Sequence, residues 1–406
     1  MHILDTLKER GYIAQIVYED ELYKQLERER TVFYVGFDPT ADSLTFGHFI
    51  PILVMRHLQN AGHLPIALMG GGTAMVADPT GKTELRPILT VEDIAKNMVG
   101  IKAQMERFLD FSEGKAILAN NADWLLQLNY VNFLREVGAH FSVNRMLTAE
   151  CFKQRMEKGL TFLEFNYMLM QSYDFLELFR KYNCRLQVGG DDQWSNMLAG
   201  ADLIRRKERA DAFVFTIKLL LNSEGEKMGK TAKGALWLDP KRCSPFEFYQ
   251  YWRNLPDDDV RPCLNTLTFL PMPAIAELFA GDANINDAKR VLAFETTALV
   301  HGRQLAEEAQ QTAAALFGGT GDASTMPTVR VTSAELAEDN RLTTLMPLMG
   351  LAMSRSEARK LVQSGAVFVG GDNVSDIEYR IDERDVPADG LTIRKGKKKF
   401  CRLIIG

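Results

Sequence analysis

Short runs of wholly apolar residues alternate with amphipathic stretches over the first two hundred positions, a pattern that predicts a parallel α/β sheet. Residues 31–37 predict a buried strand, 47–61 a helix, and 64–69 a second buried strand ending in Gly70-Gly71-Gly72. A third strand, 185–188, runs into Gly189-Gly190-Asp191-Asp192-Gln193 and then a helical segment over 194–205. Ligands of parallel sheets bind beyond the carboxyl ends of the strands, where 34–40, 70–78 and 189–193 fall. Glycines there permit close backbone approach and an acidic neighbour can bind a ribose, although Gly-Gly-Asp-Asp is also an ordinary turn.

Between these strands lies a helical stretch, 122–170, dense in Leu, Phe and Met. Such density fits either a subunit contact or plain core packing. At its end Tyr167, Gln171 and Asp174 recur at spacings of four and three, on one helical face. A polar stripe inside an apolar run needs a partner, which is either a bound polar ligand or a core network.

Residues 244–311 predict a mostly helical region interrupted by turns at 256–259 and 281–282, and 318–327 has the composition of a linker. A small domain follows. Its centre, 354–371, predicts a helix capped by Ser354 or Ser356, a stop at Gly365, and a strand turning at Gly370-Gly371.

The chain has 406 residues, enough for two or three domains, with 46% hydrophobic and 25% charged residues, as globular proteins have. Its five cysteines are scattered and form no CxxC pair, and its six histidines do not cluster. Neither a disulfide framework nor a metal site of the protein's own is expected. Charges at Asp5, Lys8, Glu9 and Arg10 break any signal-peptide core, and no run is long enough to span a bilayer, so a cytoplasmic protein is expected. Net charge is −5, yet residues 340–406 carry twelve Lys and Arg against eight Asp and Glu. Arg355, Arg359 and Lys360 at one end of the capped helix, and the run containing Lys397, Lys398 and Lys399, suit either a solvated edge or contacts with an RNA backbone.

Two further segments carry phosphate chemistry. In Glu226-Lys227-Met228-Gly229-Lys230-Thr231 two cations three residues apart can surround a leaving pyrophosphate. Far upstream, Asp38-Pro39-Thr40 precedes Ser43-Leu44-Thr45-Phe46-Gly47-His48, where Gly47 admits a purine, His48 can donate a hydrogen bond, and a helix N-terminus favours anions. Either segment alone is weak evidence. Together they indicate activation of a substrate with ATP.

The chain resembles the bacterial tyrosyl-tRNA synthetases from about Tyr34 to its end. The residues 37–44 with Gly47-His48 match that family's nucleotide signature, 227–231 its KMSKS loop, Tyr167 with 169–175 its tyrosine-selecting segment, and 189–194 its adenosine and ribose segment. The resemblance implies a Rossmann-like catalytic domain over 1–221 with a helical insertion at about 115–165. It further implies a helical anticodon-side domain with the lysine loop over 222–317, a linker over 318–335, and a small α+β S4-like RNA-binding domain over 336–406.

The resemblance also implies L-tyrosine, ATP with Mg²⁺ and tRNA(Tyr) as substrates, and a homodimer. Tyr34 and Asp174 would bind the substrate phenol, and Asp78, Tyr167 and Gln171 its ammonium group, with Asp38, Gln187 and Gln193 nearby. A site that hydrogen-bonds a hydroxyl rejects the analogue lacking it, a discrimination for which tyrosyl-tRNA synthetases are themselves a standard example. Gly36, Asp38, Gly47, His48, Gly190, Asp192, Gln193 and Lys230 would bind ATP. Thr40, Thr45, His48, Lys82, Arg86, Lys227, Lys230 and Thr231 would assist adenylation.

One position departs from the family pattern. Thr45 stands where the HIGH motif opens with histidine, and a threonine reaches less far and cannot become cationic. Pyrophosphate stabilisation is therefore expected to lean on Thr40, Lys82 and the lysine loop. Two alternatives follow: a tryptophanyl-tRNA synthetase, which Tyr34 with Asp174 disfavours, and a synthetase-like RNA-binding protein with lost or weakened aminoacylation.

Overall fold

The computed structural model describes residues 1–76, 78, 89–149, 152, 156, 159–231, 234–318, 328–387, 390–396 and 399–406. They divide into two compact units, Met1–Asp239 with Arg261–Glu277, and Pro240–Val260 with Leu278–Gly406.

The first unit is built on a six-stranded sheet of β1 (Ile13–Val17), β2 (Val32–Phe37), β3 (Leu64–Met69), β4 (Ile117–Asn120), β5 (Cys184–Gly190) and β6 (Phe213–Ile217), in the order β1-β6-β5-β2-β3-β4. All neighbours are parallel except β1, which lies antiparallel on β6. Strand order reverses between β2 and β5, and a crevice opens at such a switch point. Helices α1 (Phe46–Asn60), α2 (Phe162–Tyr182) and α3 (Trp194–Glu208) position the residues around it.

The strands and helices expected over 31–69 and 185–205 are present, with ends unshifted or shifted by up to three residues. The insertion differs, because residues 117–120 are not helical: Ile66 to Met69 pair in register with them as β4. Apolar residues there extend the sheet before the short helices Ala122–Leu125, Tyr130–Glu136 and Val143–Leu147 begin.

The lysine loop, expected with the helical domain, belongs to the first unit. Phe46 N–H donates to Leu236 O at 2.8 Å and Leu238 N–H to Leu44 O at 3.0 Å, tying the segment after the loop to the start of α1. The turn expected at 256–259 is instead the start of helix α4 (Asp257–Leu267). Three aspartates in its first turn suit the positive end of the helix dipole. The last turn of α4 and the residues just after it are gripped by an early segment of the chain. The Arg10 guanidinium donates to Asn265 O (2.9 Å), Thr268 O (2.8 Å) and Leu270 O (2.5 Å), and Tyr12 Oη donates to Thr266 O.

The second unit contains helices Pro245–Arg253, Ile285–His301 and Arg303–Gly318, then a five-stranded sheet. Thr328–Val331, expected as linker, is a strand paired parallel with Lys399–Ile405; residues 319–327 lie outside the described residues. Ser354 is the N-cap of Arg355–Gln363, accepting from Glu357 N–H at 3.2 Å, and Gly365 follows at φ +69°. Leu342, Met346, Val362, Val367, Ile393 and Leu403 form the core beneath.

Candidate active site

At the switch point a cavity of about 230 Å³ opens. The ends of β2, β3 and β5 supply Tyr34, Gly36, Asp38, Thr40, Gly70, Gln187 and Gly190; α1 supplies His48 and α2 supplies Tyr167, Gln171 and Asp174. Asp78 and Gln193 complete the polar lining. The polar stripe of α2 therefore faces a cavity, and part of it is also bonded into the protein.

The deep end is built around Asp174, which is buried. Trp124 Nε1–H donates to its Oδ1 at 2.7 Å and Asn121 Nδ2–H to its Oδ2 at 2.9 Å. Burial pushes this carboxyl up to about 7, against the two hydrogen bonds, which lower it. Tyr34 lies alongside with its ring against Phe175. Burial, and then the charge of Asp174, hold its hydroxyl well above the ordinary phenol range.

The middle of the cavity holds a second network. Tyr167 Oη donates to Asp38 Oδ2 at 3.0 Å, Thr73 Oγ1 to Asp38 Oδ1 at 2.8 Å, and Gln193 Nε2 to Asp78 Oδ2 at 2.7 Å. Gly70 leaves room for it: a Cβ there would stand 2.0 Å from Asp38 Oδ1 and would push this carboxylate out of its hydrogen bonds. Burial followed by the charges of Asp38 and Asp78 raises the Tyr167 hydroxyl, so it remains a donor.

Among the described residues, three buried polar atoms around this cavity have no partner: Tyr34 Oη, Gln171 Oε1 and Gln187 Oε1. An unmet buried polar group costs about 1–3 kcal/mol. Three around one cavity mark a place where a polar molecule completes the bonding.

Above the cavity Thr45 is the N-cap of α1 and His48 its third residue. Thr45 N–H donates to His48 Nδ1, so in the neutral ring the proton sits on Nε2. Behind the helix start, Gly229 of the lysine loop (φ +83°) lies so close to Phe46 that a Cβ would approach the ring to 2.5 Å. The two nucleotide-type segments thus pack against each other.

Among the described side chains, Thr45, Gly47, Asp192, Lys227 and Lys230 lie outside the cavity lining. Gly47, Asp192, Lys227 and Lys230 are exposed, and Thr231 ends the short strand Lys230–Thr231. Lys82, Arg86, Lys397 and Lys398 fall outside the described residues. In the carboxyl-terminal sheet domain Arg355, Arg359, Lys360 and Lys399 are exposed, Arg355 standing 3.7 Å from Asp339. Asn121, Trp124 and Thr73 were not expected from the sequence. The pair Asn120-Asn121 directly after an apolar run was the available signal, since ligand-side residues follow strand ends.

Residues 26–318 match the family model for class I tRNA synthetases (W and Y), and 321–403 match the tyrosine–tRNA ligase SYY-like C-terminal domain. A tyrosine–tRNA ligase of Clostridium beijerinckii is 57% identical over 405 residues, spanning 100% of this chain and 99% of its own. One from Clostridium botulinum is 56% identical over 407 residues, with both chains fully covered. This chain belongs to the tyrosine–tRNA ligases. Among solved structures, a C-terminally truncated mitochondrial tyrosyl-tRNA synthetase of Aspergillus nidulans superposes with a TM-score of 0.70 at 30% identity, over 78% of this chain and 94% of that one. The activity is that of a tyrosine–tRNA ligase, an ATP-consuming class I synthetase. Among the described residues no helix is long and apolar enough to cross a membrane, and no group of His, Cys, Asp and Glu is arranged to hold a metal.

Proposed function

We propose that the cavity holds L-tyrosine with its phenol between Tyr34 and Asp174 and its ammonium group among Asp78, Tyr167 and Gln171. The observation that carries this reading is the set of partnerless atoms, Tyr34 Oη, Gln171 Oε1 and Gln187 Oε1, around one cavity with an acid at its closed end. The substrate hydroxyl meets a hydrogen-bonding pair that phenylalanine would leave unpaired.

ATP enters as its Mg²⁺ complex, the metal being part of the substrate. Gly36, Asp38, Gly47, Gly190, Asp192 and Gln193 border its adenosine, and His48 presents Nε2–H to the phosphates. The tyrosine carboxylate attacks the α-phosphorus; its new P–O bond forms as the bond to pyrophosphate breaks. The nucleophile is already an anion, so no general base is required, and catalysis rests on positioning and charge. Thr40, Lys82, Arg86, Lys227, Lys230 and Thr231 stabilise the departing pyrophosphate. A terminal ribose hydroxyl of tRNA(Tyr) then attacks the tyrosyl carbonyl and AMP leaves.

Arg355, Arg359, Lys360 and Lys399, with Lys397 and Lys398, offer cations to the tRNA backbone. The exposed apolar residues Leu126, Tyr130, Val131, Val143, Phe162 and Leu163 support a homodimer through the helical insertion. A cytoplasmic location fits a partner found there.

Tyrosine-dependent exchange of labelled pyrophosphate into ATP, without tRNA and with phenylalanine and tryptophan as controls, tests the reading. Exchange with tyrosine alone is expected. Equal exchange with phenylalanine would overturn the assignment of Tyr34 and Asp174.

A further inference from the structure

Within Lys227-Met228-Gly229-Lys230 the two lysines are exposed and the two residues between them are buried. Met228 and Gly229 are therefore the anchors. Gly229 rests on Phe46, its carbonyl accepting from Leu236 N–H at 2.7 Å, and Met228 N–H donates to Leu220 O at 2.9 Å. The Met228 side chain points to α4, where the Cys263 thiol stands 3.3 Å from its Sδ. Cys263 is fully buried and Met228 8% exposed. A thioether is polarisable and unbranched, so its seat depends on the shape and weak donor of the wall behind it.

We propose that Cys263 is a positioning residue for adenylate formation: its thiol seats Met228, and this seat with the Gly229 contact holds Lys227 and Lys230 beside the start of the His48 helix. The inference rests on the proposed role of those lysines in pyrophosphate departure. Cys263 itself touches no substrate. A displaced Met228 leaves the loop free to sample positions in which the ammonium groups miss the phosphates, a loss felt in the transition state and not in tyrosine binding.

Two measurements on the full-length protein test this. In pyrophosphate exchange, Cys263→Ala and Met228→Ala are each expected to lower kcat on the order of tenfold with the tyrosine KM unchanged, and the double variant to be no slower than the worse single one, as for two halves of one contact. Met228→Leu, which refills the seat, is expected to recover most of the loss. The second measurement follows alkylation of Cys263 by iodoacetamide, resolved by peptide mass spectrometry. Gly229→Ala, which forces a side chain into Phe46, is expected to speed it at least about tenfold by undocking the loop. Unchanged kcat in both single variants, additive losses, or alkylation indifferent to Gly229→Ala would each overturn the proposal. Lys227→Ala and Lys230→Ala serve as the separate control. If they exchange at the parental rate, the lysine assignment fails; if they are slow while the Cys263 and Met228 variants are not, only the positioning role fails.

Discussion

The backbone N–H of Thr45 donates to Nδ1 of His48 over 3.1 Å, and Thr45 Oγ1 stands 3.2 Å from the same nitrogen. The residue that departs from the family motif is thus the N-cap that fixes the ring of the residue that conforms to it. Thr45→Ala keeps the backbone donor and removes the hydroxyl. Through loss of the Oγ1–Nδ1 contact it is expected to cost up to about 1 kcal/mol of stability, read by denaturant unfolding, and to slow pyrophosphate exchange. Thr45→Ser should restore both.

Tyr34 carries a buried hydroxyl without a partner, so its removal separates stability from recognition. Tyr34→Phe is expected to leave the unliganded protein as stable as the parent or more so, by up to about 1 kcal/mol. Tyrosine binding should weaken by a similar amount. Calorimetric melting and equilibrium binding measured on one preparation check the two signs, and a variant destabilised in both would contradict them.

The Asp174 carboxyl titrates near 7 in the fold against an ordinary value of 3.8. Its folded form is the better proton binder, so the stability it contributes is present below pH 3.8 and is lost as pH rises through about 7. Asp174→Asn should therefore gain in Tm relative to the parent as pH rises across that interval. Tyrosine affinity, which draws on the ionised carboxylate as acceptor, should fall on acidification below about 7 in the parent and lose this dependence in Asp174→Asn. Trp124→Phe deletes a bond that lowers the carboxyl, so the binding midpoint should move to higher pH.

Much of the catalytic framework was legible before the structure, for identifiable reasons. The strands at 31–37 and 64–69 are buried on both faces, and such strands announce themselves as unbroken apolar runs. The stripe Tyr167, Gln171 and Asp174 was legible because helical spacing maps sequence onto one face. The roles of Asn121 and Trp124 were not, because they meet Asp174 across some fifty positions of chain, and no local pattern encodes that distance. The same limit hid Cys263 behind Met228. The strand at 117–120 was missed since four residues are too few to distinguish a strand from a helical turn.

Removal of everything beyond residue 318 should separate the two half-reactions. The truncated protein is expected to keep tyrosine-dependent pyrophosphate exchange and to lose tRNA charging on the order of tenfold or more, as the cations proposed to meet the RNA backbone are deleted. Parallel exchange and charging assays decide it; equal loss of both would tie the carboxyl-terminal domain to adenylation.

Arg10 and Tyr12 reach residues that come some 255 positions later, Asn265 to Leu270. On the ribosome the nascent chain therefore makes the first 239 residues of its catalytic unit, then a stretch belonging elsewhere, before the segment that satisfies the amino-terminal guanidinium appears. Until then water, not these carbonyls, must satisfy the Arg10 guanidinium. The catalytic unit is consequently a late-closing one, with a long-range contact order that delays its final docking, and an amino-terminal fragment ending at residue 239 should be prone to aggregation even though it contains the whole central sheet.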